Sequence, residues 1–139
     1  NRQAGFARIR EMIVEQDVEL IVLARFMQIL PDDFCRDFAG GIINIHHSFL
    51  PAFIGANPYK QAYERGVKLI GATCHYVTAD LDAGPIIEQE VDRVQHFHTP
   101  NDLVRLGRHC ERIALAKGIR FHVHDRTIID GHRAIVFPD

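Results

Sequence analysis

The chain has 139 residues, 47% hydrophobic and 24% charged, enough to bury one ordinary core, so a single domain is expected. A formal net charge of -2 at pH 7 offers no extended basic surface, which argues against a nucleic-acid backbone or an anionic membrane as the main partner and leaves a small molecule. No apolar run reaches the roughly 18 residues of a membrane-spanning helix, and the opening Asn1 to Gly5 lacks the hydrophobic stretch of a signal peptide.

The absence of an initiator Met, with an opening that reads straight into a helix, predicts that residues upstream of Asn1 are missing. Phe6, Ile9, Met12 and Ile13 recur at helical spacing, so residues 2–16 are expected to form an amphipathic helix with one buried stripe. Residues 18–24 are almost wholly apolar after Glu19, as in a strand covered on both faces, and imply a parallel central sheet. Pro31 suits the first turn of a helix running to Phe38, and Gly40-Gly41 a permissive stop. Residues 42–46 read as a strand that releases polar side chains at its end, followed by a loop from His47 to Asn57. In open α/β sheets ligands bind beyond the carboxyl ends of the strands, so this end is where a site is sought.

Pro58 opens a short helix to Gly66. Lys68 to Thr78 reads as a long strand entering the acidic loop 79–84, and another strand starts near Pro85. Leu103, Leu106, Cys110 and Ile113 place a long helix from Pro100 to Lys117 or beyond. Residues 126–129 and 133–136 flank Asp130-Gly131 and predict a terminal hairpin, peripheral to the chemistry.

The chemically informative residues are Asn44, His46 and Asp82. In a strand, side chains at i and i+2 leave the same face, so Asn44 and His46 can address one small electrophile together. Asp82 can join them if the strand before its loop neighbours the Asn44 strand. Such a trio suits attack on a formyl or acyl carbon. Asn44 and a protonated His46 would stabilise the oxyanion, where one well-placed donor is worth ~3 kcal/mol. Asp82 would take a proton from water and help pass one to the leaving nitrogen, and a nearby carboxylate favours imidazolium. Asn-x-His is also a common triplet, and Asp82 before Ala83-Gly84-Pro85 also reads as a simple turn, so the pattern alone leaves both readings standing.

The run NIHHSFLPAFIGANPYKQAYERG over 44–66 and the run GATCHYVTADLDAGPII over 71–87 resemble, in length and order, the two signatures of formyltetrahydrofolate deformylases. The likeness extends upstream through Leu23 to Leu30 and more weakly into the last helix, covering nearly the whole chain. It implies an α/β, formyltransferase-like Rossmann-type fold. Residues 1–139 would be a partial catalytic domain, because the family fold begins with further parallel strands and usually follows an ACT-type regulatory domain.

The implied activity is hydrolysis of 10-formyltetrahydrofolate to tetrahydrofolate and formate, feeding purine biosynthesis and balancing one-carbon folate pools. The folate is the substrate, no cofactor is implied, and a homo-oligomer is expected. Carried over by position, the trio is Asn44, His46 and Asp82. The pterin pocket is Met27, Gln28, Ile29 and Leu30 with Val77, Thr78, Ala79 and Asp80, and a cis bond precedes Pro51. Ala79 departs from the acidic residue common there and puts folate affinity in doubt. Glycinamide ribonucleotide formyltransferases resemble Asn-Ile-His-Pro at the first signature, whereas this chain has His47, which favours the hydrolase. Formyl transfer to an amine is the same-fold alternative, and a catalytically silent folate-binding regulatory module the alternative from another class.

His75, on the strand entering the acidic loop, either supports Asp82 or is a hydrogen-bonded core histidine. His47 either shapes the acceptor side or is a surface residue at a strand end. The pairs His96/His98 and His122/His124 lack clustered Cys or carboxylate ligands, so no metal is expected. Three scattered cysteines fit neither a zinc motif nor a disulfide framework and point to a reducing cytoplasm. Cys74 and Cys110 are expected to pack as small apolar groups.

Overall fold

In the computed structural model, residues 1–24, 26, 28–47, 57–79 and 84–138 are described. The elements run α1 (Arg2–Glu15), β1 (Ile21–Ala24), α2 (Asp32–Asp37), β2 (Ile42–His46), α3 (Pro58–Arg65), β3 (Leu69–Tyr76), β4 (Ile86–Arg93), α4 (Pro100–Val123), β5 (Thr127–Asp130) and β6 (Arg133–Val136). Each expected element forms, with boundaries drawn in at several ends. The strand expected over 18–24 begins only at Ile21. The chain leaves α1 through Asp17 in the left-handed region, at a φ of 51°, and ladder pairing starts where Ile21 meets Ile42.

The sheet order is β1-β2-β3-β4. Only β1 and β2 are parallel, while β2 with β3 and β3 with β4 are antiparallel. The expected parallel sheet is therefore corrected to a mixed one. The apolar run of β1 reports coverage by helices, a property that does not fix the direction of its neighbours.

Strand alternation divides the core between two faces. Ile43 and Ile45 point to one side, where Cys74, Tyr76 and Ile87 meet Cys110, Ala114 and Phe121 of α4. Ile42 points to the other and packs with Ile13, Leu30, Phe34 and Cys35 beneath α1 and α2. The stripe expected on α1 is only half realised. Phe6 and Ile13 join this cluster, but Ile9 and Met12 stay exposed, because among the described residues β1 is the sheet edge and no strand extends the surface beneath them.

The helix α4 begins at a capping box. Thr99 accepts from the Asp102 backbone N–H, and the Asp102 carboxylate accepts from that of Thr99, which holds its carboxyl below the ordinary carboxylate range. The helix then lies unusually close to the sheet. A Cβ on Gly118 would stand 2.4 Å from Cys74 Sγ, so only glycine fits, at a cost of about 1 kcal/mol in helix propensity. Burial pushes the Cys74 thiol up to about 12 and the Cys110 thiol up to about 11. Both stay neutral and pack as apolar groups.

The terminal hairpin turns at Gly131-His132, one residue later than expected, with Asp130 paired to Arg133. It is tied to the centre of the fold. The buried Tyr76 hydroxyl lies 2.7 Å from His122 Nδ1 and 2.6 Å from Thr127 Oγ1, joining β3, α4 and β5 at one atom. Tyr76→Phe should lower unfolding stability by about 1–3 kcal/mol, because it strands two polar partners in a partly buried site. Urea denaturation measures this, and it should loosen Thr127–Val136 first in hydrogen exchange.

Candidate functional site

A cleft of about 240 Å³ opens on the α2 face, where β1, β2 and β3 converge. Strand parity assembles its polar wall. With Ile43 and Ile45 committed to the α4 core, Asn44 and His46 leave β2 on the opposite face. The antiparallel register sets His75 of β3 directly across from Asn44. The ladder shifts at Cys74/His75, an irregularity of the kind that re-aims side chains beside functional sites.

Among the described residues, Asn44 Oδ1 is buried without a hydrogen-bond partner. An unsatisfied buried polar atom costs about 1–3 kcal/mol and is rare in folded proteins. This one lies in the wall of a cavity that can hold a ligand. His46 stacks on His47, with ring centroids 5.3 Å apart. His75 Nδ1 is 2.8 Å from the Tyr76 carbonyl oxygen. A carbonyl only accepts, so Nδ1 carries a proton in this contact.

The apolar floor comes from Leu23, Phe26, Ile29, Leu30 and Val77. Gln28, Thr78 and Ala79 add the rim. Every described residue singled out from the sequence for the site thus lines this one cleft: Asn44, His46, His47, His75, Gln28, Ile29, Leu30, Val77, Thr78 and Ala79. Met27, Asp80, Asp82 and the bond before Pro51 lie outside the described residues. The described residues on either side of the Asp82 segment, Ala79 and Gly84, both line the cleft. The assumed adjacency of the β2 and β3 strands holds.

Gly84 marks where that segment returns. A Cβ there would stand 1.6 Å from the Tyr76 carbonyl oxygen and 2.9 Å from His75 Nδ1. The Tyr76 N–H donates to the Pro85 carbonyl at 2.9 Å. Gly84 and Pro85 lie against the end of β3 at a point only glycine can occupy.

Cys35 and Glu111 also line the cleft and were not foreseen from the sequence. Burial, reinforced by Asp32 and Asp33, pushes the Cys35 thiol up, so it is held as a neutral wall group and not as a nucleophile. Glu111 accepts a hydrogen bond from the Tyr59 hydroxyl at 3.2 Å. The one hint of it in the sequence is Gly107, a full turn earlier in a helix that otherwise has little use for glycine. The histidine pairs are engaged elsewhere. His98 Nδ1 accepts from the Gln95 N–H and His122 meets Tyr76, and among the described residues no metal-sized cluster forms. No helix among them is long and apolar enough to cross a membrane.

Residues 1–119 match the family described as formyl transferase. A formyltetrahydrofolate deformylase of Bacillus subtilis is 59% identical over 127 residues, covering 91% of this chain and 42% of that protein. The crystal structure of a formyltetrahydrofolate deformylase from Pseudomonas syringae superposes with a TM-score of 0.91 at 51% identity, over 99% of this chain and 46% of that one. A phosphoribosylglycinamide formyltransferase from Anaplasma phagocytophilum gives a TM-score of 0.85 at 38% identity, over 96% of this chain and 66% of that one. The chain spans less than half the length of the deformylases it matches. With a match running through most of its residues, the chain belongs to the formyl transferase family.

Proposed function

We propose that the protein hydrolyses 10-formyltetrahydrofolate to tetrahydrofolate and formate. The observation that carries this reading is the Asn44 side-chain oxygen, buried without a partner among the described residues, beside His46 in the β2–β3 cleft. The 59% identity to the Bacillus subtilis deformylase supports the hydrolase over the transferase, which is represented at 38%.

In the proposed reaction, water adds to the formyl carbon and the negative charge gathers on the formyl oxygen. The Asn44 amide and the His46 imidazolium donate to it. A carboxamide whose oxygen has no partner can present its NH2 end by a half-turn of its terminal torsion. Asp82 takes the proton from water and delivers one to the folate nitrogen as the carbon–nitrogen bond breaks. The apolar floor is suited to a flat pterin, with Val77, Thr78 and Ala79 contributing main-chain groups at the rim. Met27 and Asp80 complete this pocket in the same reading. The partner is a small-molecule folate, the setting a reducing cytoplasm, and the assembly a homo-oligomer.

A formate-release assay on the full-length protein tests the roles. Asn44→Ala should lower kcat by about two to three orders of magnitude, the worth of an oxyanion donor. His46→Ala and Asp82→Asn should each cost about two orders or more. Turnover that survived all three substitutions would overturn the assignment. Gly84→Ala should lower kcat by roughly a hundredfold, because its Cβ displaces the loop return by an ångström-scale shift. Folate KM should change far less, and thermal melting should show the variant folded.

A further inference from the structure

A larger cavity, about 610 Å³, lies beside the cleft between the start of α3 and the first half of α4. Its volume suits a small organic molecule, and the folate reading leaves it unused. Among the described residues, His47 and Glu111 line both cavities and so form the wall between them.

Tyr59 braces that wall from the outer side. Its ring faces His47 at a centroid distance of 6.4 Å, and its hydroxyl donates to Glu111 Oε2 at 3.2 Å. The ring lies against Gly107 of α4, where a Cβ would stand 2.1 Å from Tyr59 Cε1 and 2.2 Å from its hydroxyl oxygen. Glycine is less favourable than alanine inside a helix, and seating this ring is what Gly107 accomplishes in return.

We propose that Tyr59, seated on Gly107 and bonded to Glu111, is a positioning residue that decides the acceptor: it holds the His47–Glu111 wall between the formyl carbon and any amine in the outer cavity, leaving water as the nucleophile. This rests on the hydrolase reading. In hydrolysis the water oxygen bonds to the formyl carbon, the carbon–nitrogen bond breaks with its electron pair on the folate nitrogen, and that nitrogen takes a proton. The products are tetrahydrofolate, formate and one released proton. With an amine, nitrogen makes the new bond, one amine proton goes to the folate nitrogen, and the products are tetrahydrofolate and a formamide. Folate turnover is the same in both, so the ratio of formylated amine to formate isolates acceptor choice from overall activity or stability.

The test uses the full-length protein with 10-formyltetrahydrofolate and two added nucleophiles, hydroxylamine and the bulkier O-benzylhydroxylamine, with both formyl products and formate quantified. The native protein should release formate, form some product with hydroxylamine and form essentially none with the benzyl compound. Tyr59→Ala, and Gly107→Ala by displacing the ring, should each raise the benzyl-product-to-formate ratio about tenfold or more, within the discrimination a shaped pocket supplies. Tyr59→Phe keeps the ring on its seat but removes the bond to Glu111, and should raise the ratio by less than Tyr59→Ala does. Equal trapping of the two nucleophiles by the native protein would overturn the proposal without any variant, and so would folded, active Tyr59→Ala and Gly107→Ala proteins with the native ratio. A native protein that releases no formate would instead overturn the hydrolase reading itself.

Discussion

The antiparallel pairing of β2 with β3 is the constraint on which the site depends. Setting Asn44 opposite His75 fixes which residues share a face. A slip of one residue would carry Asn44 and His46 into the α4 core and turn Ile43 and Ile45 toward the cleft. That alternative is penalised from both sides. Ile42, Ile43 and Ile45 are buried at 0%, 0% and 7% exposure, each worth about 1.5–3 kcal/mol on burial. Two polar side chains would replace two of them among apolar partners. The residues that stabilise β2 are therefore the ones that aim Asn44 and His46 into the cleft.

The helix α4 imposes the second constraint through close approach. Gly118 admits Cys74 and Gly107 admits Tyr59, so the helix meets the sheet near one end and α3 near the other without intervening side-chain bulk. The same rod carries Glu111 to the cleft and His122 to Tyr76. Tyr76 is the last residue of β3, and Val77, Thr78 and Ala79 of the cleft follow it directly. The hairpin, through Thr127, thereby braces the strand end from which this wall of the cleft departs. A segment that looks remote from the chemistry in sequence order is one hydrogen bond from the root of the site.

Much of this was legible in the residues. Periodicity located every helix and strand, because apolar spacing, Pro at helix starts and Gly at stops are local signals. Strand direction was not legible, since an apolar run such as 20–24 reports burial and says nothing about its neighbour's sense. The exposure of Ile9 and Met12 was missed for a related reason: periodicity predicts which residues share a face, whereas coverage depends on where the sheet ends. At the site, Asn44 and His46 announced themselves as polar residues two apart at the end of a β-branched strand. His75 followed from its place on the next strand, whereas Val77, Thr78 and Ala79 came from the family resemblance. Glu111 escaped because one acid on the flank of a charged helix looks like solvated surface, and only the ring on Gly107 explains its neighbours.

The orphaned Asn44 oxygen shows how the fold and the chemistry divide the energetic burden. An enclosed acceptor without a donor opposes folding, and replacing it with an apolar residue of similar size would relieve that cost. The fold tolerates it because the flanking isoleucines over-determine the position of β2, which cannot relax to satisfy the amide without exposing them. The carboxamide is thus held at a fixed place on the cleft wall, where only its terminal torsion is left to turn. Rigidity at Asn44 and His46 is then a consequence of strand parity, and Gly84 holds the chain against β3 at a point where no side chain fits.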